Sequence, residues 1–185
     1  MSRDERVAVK IAEEKGISGR IDPGMIGDSG KVEELSLNIN MYIHELLSQW
    51  GYDSAVAAKG PTIGKEDELL KQTKICLYPL LVKLRKGTLA SDSLISLSTT
   101  LHYLQEYQRT GDKAQLQRCT ESYMHLSMGS VAWPIGVSQV GIHERKINYQ
   151  QQQQTANIMA DEETRMWITS IKRIISHVES TNKRL

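Results

Sequence analysis

From Ser93 to Gln105 the chain carries no Asp, Glu, Lys or Arg. Leu94, Leu97, Leu101 and Leu104 recur through this stretch at helical spacing, and Ser91 is placed to cap its start. The pattern predicts a helix over about 92–108. A helix with no charged face must be covered on most sides by neighbours. The rest of the chain therefore has to supply amphipathic helices that pack around it.

Four further stretches have that character. A helix is predicted over about 36–50, with Ile39, Tyr42, Ile43, Leu46, Leu47 and Trp50 on one face and Gly51 as its stop. A second covers about 66–86, with Leu69, Leu70, Thr73, Cys76, Leu77, Leu80, Leu81 and Leu84 as a broad stripe. Pro79 lies inside it and predicts a kink; Lys83, Arg85 and Lys86 gather at its end, before Gly87. Another is predicted over about 113–128, after the turn Thr110-Gly111-Asp112, with Leu116, Cys119, Tyr123 and Leu126 inward and Gly129 at its end. The last covers about 161–178, with Trp167, Ile171, Ile174, Ile175 and Val178 as its stripe. No period of 20 to 50 residues repeats, which argues against a solenoid. The expected fold is all-α: a five-helix, bundle-like single domain over 35–180, with a long loop between the fourth and fifth helices.

Residues 1–34 read as a flexible N-terminal tail. Arg3 to Lys15 is charged and forms at best a marginal helix. Gly16, Gly19, Pro23, Gly24, Gly27 and Gly30 then follow closely, which makes ordering costly in entropy. The segment is expected to be weakly ordered, or docked as an extended strap through Ile21, Met25 and Ile26. No apolar run follows Met1–Arg6, so no secretory signal is expected.

Charge narrows the function classes. Lys plus Arg number 23 and Asp plus Glu 22 in 185 residues, a formal net charge of +1. Free-standing nucleic-acid binding depends on many phosphate-neutralising cations, so any RNA contact is expected to be indirect or weak. No stretch approaches the roughly 20 apolar residues of a membrane helix. The two cysteines, Cys76 and Cys119, are expected to be reduced, which suits cytosol or nucleus.

The connection over 129–156 is far longer than the usual two to eight residues between bundle helices. Its second part, Gln150 to Gln154, is a glutamine run without geometric information. Its first part, Gly129 to Arg145, is rich in Trp, Ile and Val and punctuated by Pro134, Gly136 and Gly141. Pro134 pushes Trp133 toward extended geometry. Such apolar groups seek burial. Either the loop folds back and plugs the bundle, or it is kept for a partner that supplies the pocket; the pattern leaves both open.

Catalytic motifs fail one by one. Gly60-Pro61-Thr62-Ile63-Gly64-Lys65-Glu66 is a residue short of a phosphate loop, with Glu66 where Ser or Thr is needed. Gly24 to Lys31 is a residue too long. His44-Glu45 begins a zinc-protease pattern, but position 48 is Ser. Gly136-Val137-Ser138-Gln139-Val140 lacks the second glycine of a nucleophile elbow. Ser138 with His143 has no orienting acid. The histidines and cysteines do not fall at metal-site spacing. The expectation is no enzyme, no metal and no cofactor, with His102 a satisfied core histidine and His44 a solvated or partner-facing one.

Ala132-Trp133-Pro134-Ile135-Gly136-Val137, followed by Val140-Gly141-Ile142-His143-Glu144-Arg145, closely resembles the signature loop of the pre-mRNA-splicing factor 18 family. Ser122 to Gly129, Asp161-Glu162 to Lys172-Arg173, Met41 to Ser48 and Leu94 to Leu97 agree as well, so the resemblance covers about residues 21–178. The chain is similar to a fungal member lacking most of a charged N-terminal region, a core fragment. Ser138 stands where the pattern often has Thr, and the glutamine run departs from many members.

The resemblance implies a five-helix fold and a nuclear, non-catalytic spliceosomal protein associated with the U5 small nuclear ribonucleoprotein. It implies action in the second transesterification, when exons are joined. Trp133, Pro134, Ile135, Gly136, Val137, Val140, Gly141, Ile142, His143 and Arg145 are then the docking loop, which stabilises the 3′ splice site and meets the large scaffold protein. A second-step factor with a zinc knuckle is implied to bind the outer faces of the first two helices, for which the candidates are His44, Glu45, Ser48, Gln49, Lys71, Lys74 and Arg85. Removing residues 130–145 is expected to leave helical circular dichroism nearly intact while exon ligation fails or loses splice-site fidelity. The competing reading is a general helical protein-interaction adaptor.

Overall fold

A computed structural model of the chain describes residues 3–57, 63–137 and 161–182. The architecture is all-α, with six helices among the described residues: α1 (Arg3–Lys15), α2 (Val32–Ala57), α3 (Ile63–Lys86), α4 (Ser91–Thr110), α5 (Lys113–Met128) and α6 (Glu162–Asn182). A short 3-10 turn, Pro23–Met25, lies between α1 and α2. α3 packs along α2 and α6, α4 packs along α5, and α1 lies on α2.

The charge-free helix is central, as its composition requires. In α4, every residue from Leu94 to Leu101 is buried, as are Tyr103, Leu104 and Tyr107. Ile39 and Ile43 of α2, Leu77 and Leu80 of α3, Cys119 of α5, and Trp167 and Ile171 of α6 complete a single continuous core. The predicted stripe of α6 is buried throughout. In α3 Leu70, Thr73, Leu77, Leu80, Leu81 and Leu84 of the stripe are buried, but Cys76 is half-buried and Leu69 is 38% exposed and lies outside it. Both cysteines are free thiols.

The sixth helix is α1. Its own charge pattern stabilises a helix only weakly, and tertiary contacts supply the rest. Ala8 and Ala12 are buried, the Ser48 hydroxyl of α2 donates to Glu5 at 2.7 Å, and Lys15 pairs with Glu33. Residues 17–30 take the strap form. Ile21 and Ile26 are each 2% exposed. Gln105 of α4 clamps the backbone from both sides: its amide nitrogen donates to the Gly19 carbonyl (2.7 Å) and its oxygen accepts from the Ile21 amide (3.0 Å). The Gly19 amide donates to Asn38 of α2 at 3.0 Å. His102 Nδ1 lies 3.1 Å from the Ile21 carbonyl. That carbonyl only accepts, so Nδ1 carries the proton; His102 is hydrogen-bonded as its sequence position predicts, but it is half-buried at the edge of the core rather than within it.

Helix α2 corrects the boundary set at Gly51. It runs through that glycine to Ala57. A mid-helix glycine costs about 1 kcal/mol relative to alanine, and neighbours beyond it offset that. Asp53 accepts from Gln49 at 2.7 Å and lies 3.0 Å from His177 Nε2 of α6, whose ring stacks on Trp50 at 4.7 Å. The cap of α4 is also corrected. Ala90 is the N-cap and makes no side-chain cap bond, and Ser91 is already helical. α5 has the bounds its sequence predicts, with the Asp112 carboxylate accepting from the Ala114 amide and Gly129 left-handed at φ +71°. α3 continues through Pro79. No described helix is long and apolar enough to cross a membrane.

Candidate docking loop and partner face

The root of the signature loop is built on α4. Gly129 ends α5 in the left-handed conformation, and its amide reaches the Leu126 carbonyl at 3.2 Å. The Ser130 amide donates to the His125 carbonyl at 2.9 Å. The chain then runs beside Ser96, Thr99 and Tyr103, which stand one turn apart on one face of α4. Ser96 Oγ accepts from the Ala132 amide (3.0 Å) and donates to the Ser130 carbonyl (2.8 Å). Thr99 Oγ1 is 2.9 Å from the Ala132 carbonyl and 2.8 Å from the Ile95 carbonyl, two acceptors that share one hydroxyl proton. The Tyr103 hydroxyl accepts from the Ile135 amide at 3.2 Å. Ala132 and Pro134 are buried, and Val131 and Trp133 pack partly buried against the core. The Trp133 indole nitrogen is enclosed and has no hydrogen-bond partner among the described residues.

This part of the loop therefore follows the plug arrangement, and the expectation that 130–145 is detachable as a whole is corrected for 130–134. The character changes at Ile135, which is 76% exposed. Gly136 sits at φ +89° with open space beside it, and the Val137 amide closes a turn on the Pro134 carbonyl at 3.2 Å. Val140, Gly141, Ile142, His143 and Arg145 lie outside the described residues, as do Ser138, the Gly60-Pro61 stretch and the glutamine run.

The partner-face candidates separate into three groups. Glu45, Ser48, Gln49, Lys71 and Lys74 are exposed. Glu45 stands against the strap, where partial burial raises its carboxyl above the usual carboxylate range. His44 is corrected: it is 7% exposed rather than solvated, because the α2 face that carries it is covered by α3 and approached by Glu5. Arg85 is half-buried beside a narrow cleft lined by Ala8, Ala12, Leu37 and Asn40. His44, Ser48 and Lys74 share a groove of about 350 Å³ with Glu5, Leu47, Ile75, Tyr78 and Leu81. Ile75 and Tyr78, 63% and 55% exposed, form its apolar outer wall and escape sequence reasoning because they lie off the leucine stripe. Among the described residues no group of three or more His, Cys, Asp or Glu is placed to hold a metal ion.

The residues that hold the loop root were also missed. A signal was present: Ser96, Thr99 and Tyr103 put hydroxyls at i, i+3 and i+7 on a helix that has to be buried, and buried hydroxyls need partners. Gly27, in the strap, carried no comparable mark.

Residues 40–184 match the Prp18 domain family. The chain is 46% identical over 180 residues to pre-mRNA-splicing factor 18 of Saccharomyces cerevisiae, an alignment that spans 96% of this chain and 66% of that protein. It is 29% identical over 159 residues to pre-mRNA-splicing factor 18 of Danio rerio, spanning 82% of this chain and 43% of the relative. To the Bos taurus protein of that name it is 33% identical over 112 residues, 57% of this chain and 29% of the relative. The chain thus spans just under two thirds of the yeast relative and less than half of the vertebrate ones. The match extends from α2 through α6, over the helices that carry the loop root and the groove, and on this ground the chain belongs to the pre-mRNA-splicing factor 18 family.

Proposed function

We propose that the protein is a non-catalytic, nuclear pre-mRNA splicing factor that acts in the second transesterification, exon ligation. The observation that carries this reading is the division of the signature loop at Ile135. Its backbone is bonded to α4 as far as the Ile135 amide, and the Ile135 side chain is turned out to solvent. An exposed isoleucine held on a fixed root is suited to a cavity in another molecule. In this reading the loop enters the catalytic centre assembled by the U5 small nuclear ribonucleoprotein and its large scaffold protein, and stabilises the docked 3′ splice site. The chemistry belongs to the RNA. The gain is positional, since holding the splice site in attack geometry raises its effective molarity. The net charge of +1 agrees with a factor that reaches RNA chiefly through proteins.

The α2/α3 groove is the proposed seat of the zinc-knuckle second-step factor. Its apolar outer wall, Ile75 and Tyr78, is flanked by Lys74 and Ser48, a combination typical of a protein interface. Nuclear extract depleted of the protein should complete the first step and stall before exon joining, and add-back of the pure chain should restore ligation. Normal exon joining in the depleted extract would favour the general adaptor instead.

A further inference from the structure

Two segments far apart in the sequence meet over α4, at Gly27 and Trp133. Gly27 has φ +85°, and a Cβ built on it would lie 2.3 Å from Trp133 Cζ3 and 2.6 Å from Cη2. No real side chain tolerates such separations, so the edge of the indole rests directly on the glycine backbone. The strap is itself fixed to α4 through Gln105 and His102, and its turn is closed by the Asp22 carboxylate on the Gly24 amide at 2.9 Å and by the Asp28 amide on the Met25 carbonyl at 3.2 Å. Gly27 is thus a fixed floor under Trp133. Pro134, the next residue, leads straight to the exposed Ile135.

We infer that Gly27 is a positioning residue for the docking loop: the strap sets how deeply Trp133 seats, and with it the direction in which the loop leaves the body at Ile135. The inference rests on the proposed role of that loop in exon ligation. It gives the glycine-rich strap a function in splicing although the strap lies outside the loop and outside the α2/α3 groove.

The test compares Gly27→Ala with Gly16→Ala in protein labelled with 5-fluorotryptophan. Gly16 has φ +65° with nothing within 4 Å of the added carbon, so both variants carry the left-handed backbone penalty and only Gly27→Ala strikes the indole. In the fluorine spectrum, Gly27→Ala should move the Trp133 resonance and leave those of Trp50 and Trp167 in place. In depleted extract it should lower exon ligation at least fivefold at a temperature where it is folded, while Gly16→Ala stays within twofold of wild type. The pair Trp133→Phe with Gly27→Ala trades ring volume for a methyl group, relieves the clash, and should ligate better than Gly27→Ala alone. An unmoved Trp133 resonance, a moved resonance with wild-type ligation, or a pair no more active than Gly27→Ala overturns the inference. Wild-type protein that restores no ligation removes the proposed function itself, and the inference with it.

Discussion

A single buried hydroxyl joins Ser96 to the loop at Ala132. Ser96 Oγ takes the Ala132 amide hydrogen at 3.0 Å and gives its own to the Ser130 carbonyl at 2.8 Å. Ser96 is 1% exposed and Ala132 5%, so water cannot replace either bond without local opening. Ser96→Ala would strand a buried amide and a carbonyl, at a cost of about 2 kcal/mol. For a chain of this length that lowers the melting temperature by about 4–8 °C. A differential scanning trace unchanged from wild type would mean the loop root is not fastened this way.

The same anchoring distinguishes two deletions. Removing 135–145 takes away the exposed isoleucine and the ten residues after it, and should leave the melting temperature within about 2 °C of wild type. Removing 130–145 also strips Ala132, Trp133 and Pro134 from the body and should cost several kcal/mol, on the scale of emptying part of a core. Equal melting temperatures for the two deletions would show that residues 130–134 add nothing to the fold.

On the α2/α3 face, Lys71→Glu with Lys74→Glu changes two exposed side chains. Exposed charges of this kind add little to folding, so the melting temperature should stay within about 1 °C. Affinity for the zinc-knuckle factor, measured by calorimetry, should fall about tenfold, or about 1.4 kcal/mol. His44→Ala acts differently. It hollows a buried position and should lower the melting temperature whatever it does to binding. Unaltered affinity of the double lysine variant would move the partner elsewhere.

Burial pushes the Cys119 thiol up to about 12 from an ordinary 9.0, with the Lys172 ammonium drawing it slightly back. The unfolded chain ionises this thiol first, so the stability it contributes is complete below pH 9.0 and is lost as pH climbs toward about 12. Cys119→Val removes that group, and its melting temperature should decline less steeply above about pH 9 than that of wild type. Tyr42, also held neutral by burial, leaves a residual decline in both. In the native protein at about pH 8, Cys119 should resist Ellman's reagent until denaturant is added. Prompt reaction of both thiols would contradict its burial.

Most of the fold was legible because α4 declares itself. A charge-free run from Ser93 to Gln105 has to be central, and the stripes of Ile39–Trp50 and Trp167–Val178 have nowhere else to pack. The features that were not legible depended on contacts between distant residues. Gly51 looks like a stop because local propensity disfavours it, and contacts such as Asp53–His177, across more than a hundred residues, help carry α2 onward. His44 looks solvent-facing from its position on α2 and is buried by another helix. The seat of Trp133 depends on Gly27, and no periodicity relates a glycine in a strap to a tryptophan in a loop. The apolar loop shows that something must receive it. Its sequence alone does not show that the body receives 130–134 and leaves Ile135 outside.

The central claim is that the body holds the loop by its root so that the part beyond Pro134 serves exon ligation in the spliceosome. The direct test is a splicing time course in depleted extract, supplemented with the chain lacking 135–145 after its melting curve has been matched to wild type. The account predicts that free 5′ exon and lariat intermediate accumulate while joined exons fall by at least tenfold. Joined exons forming at the wild-type rate, from a folded protein without that segment, would contradict it.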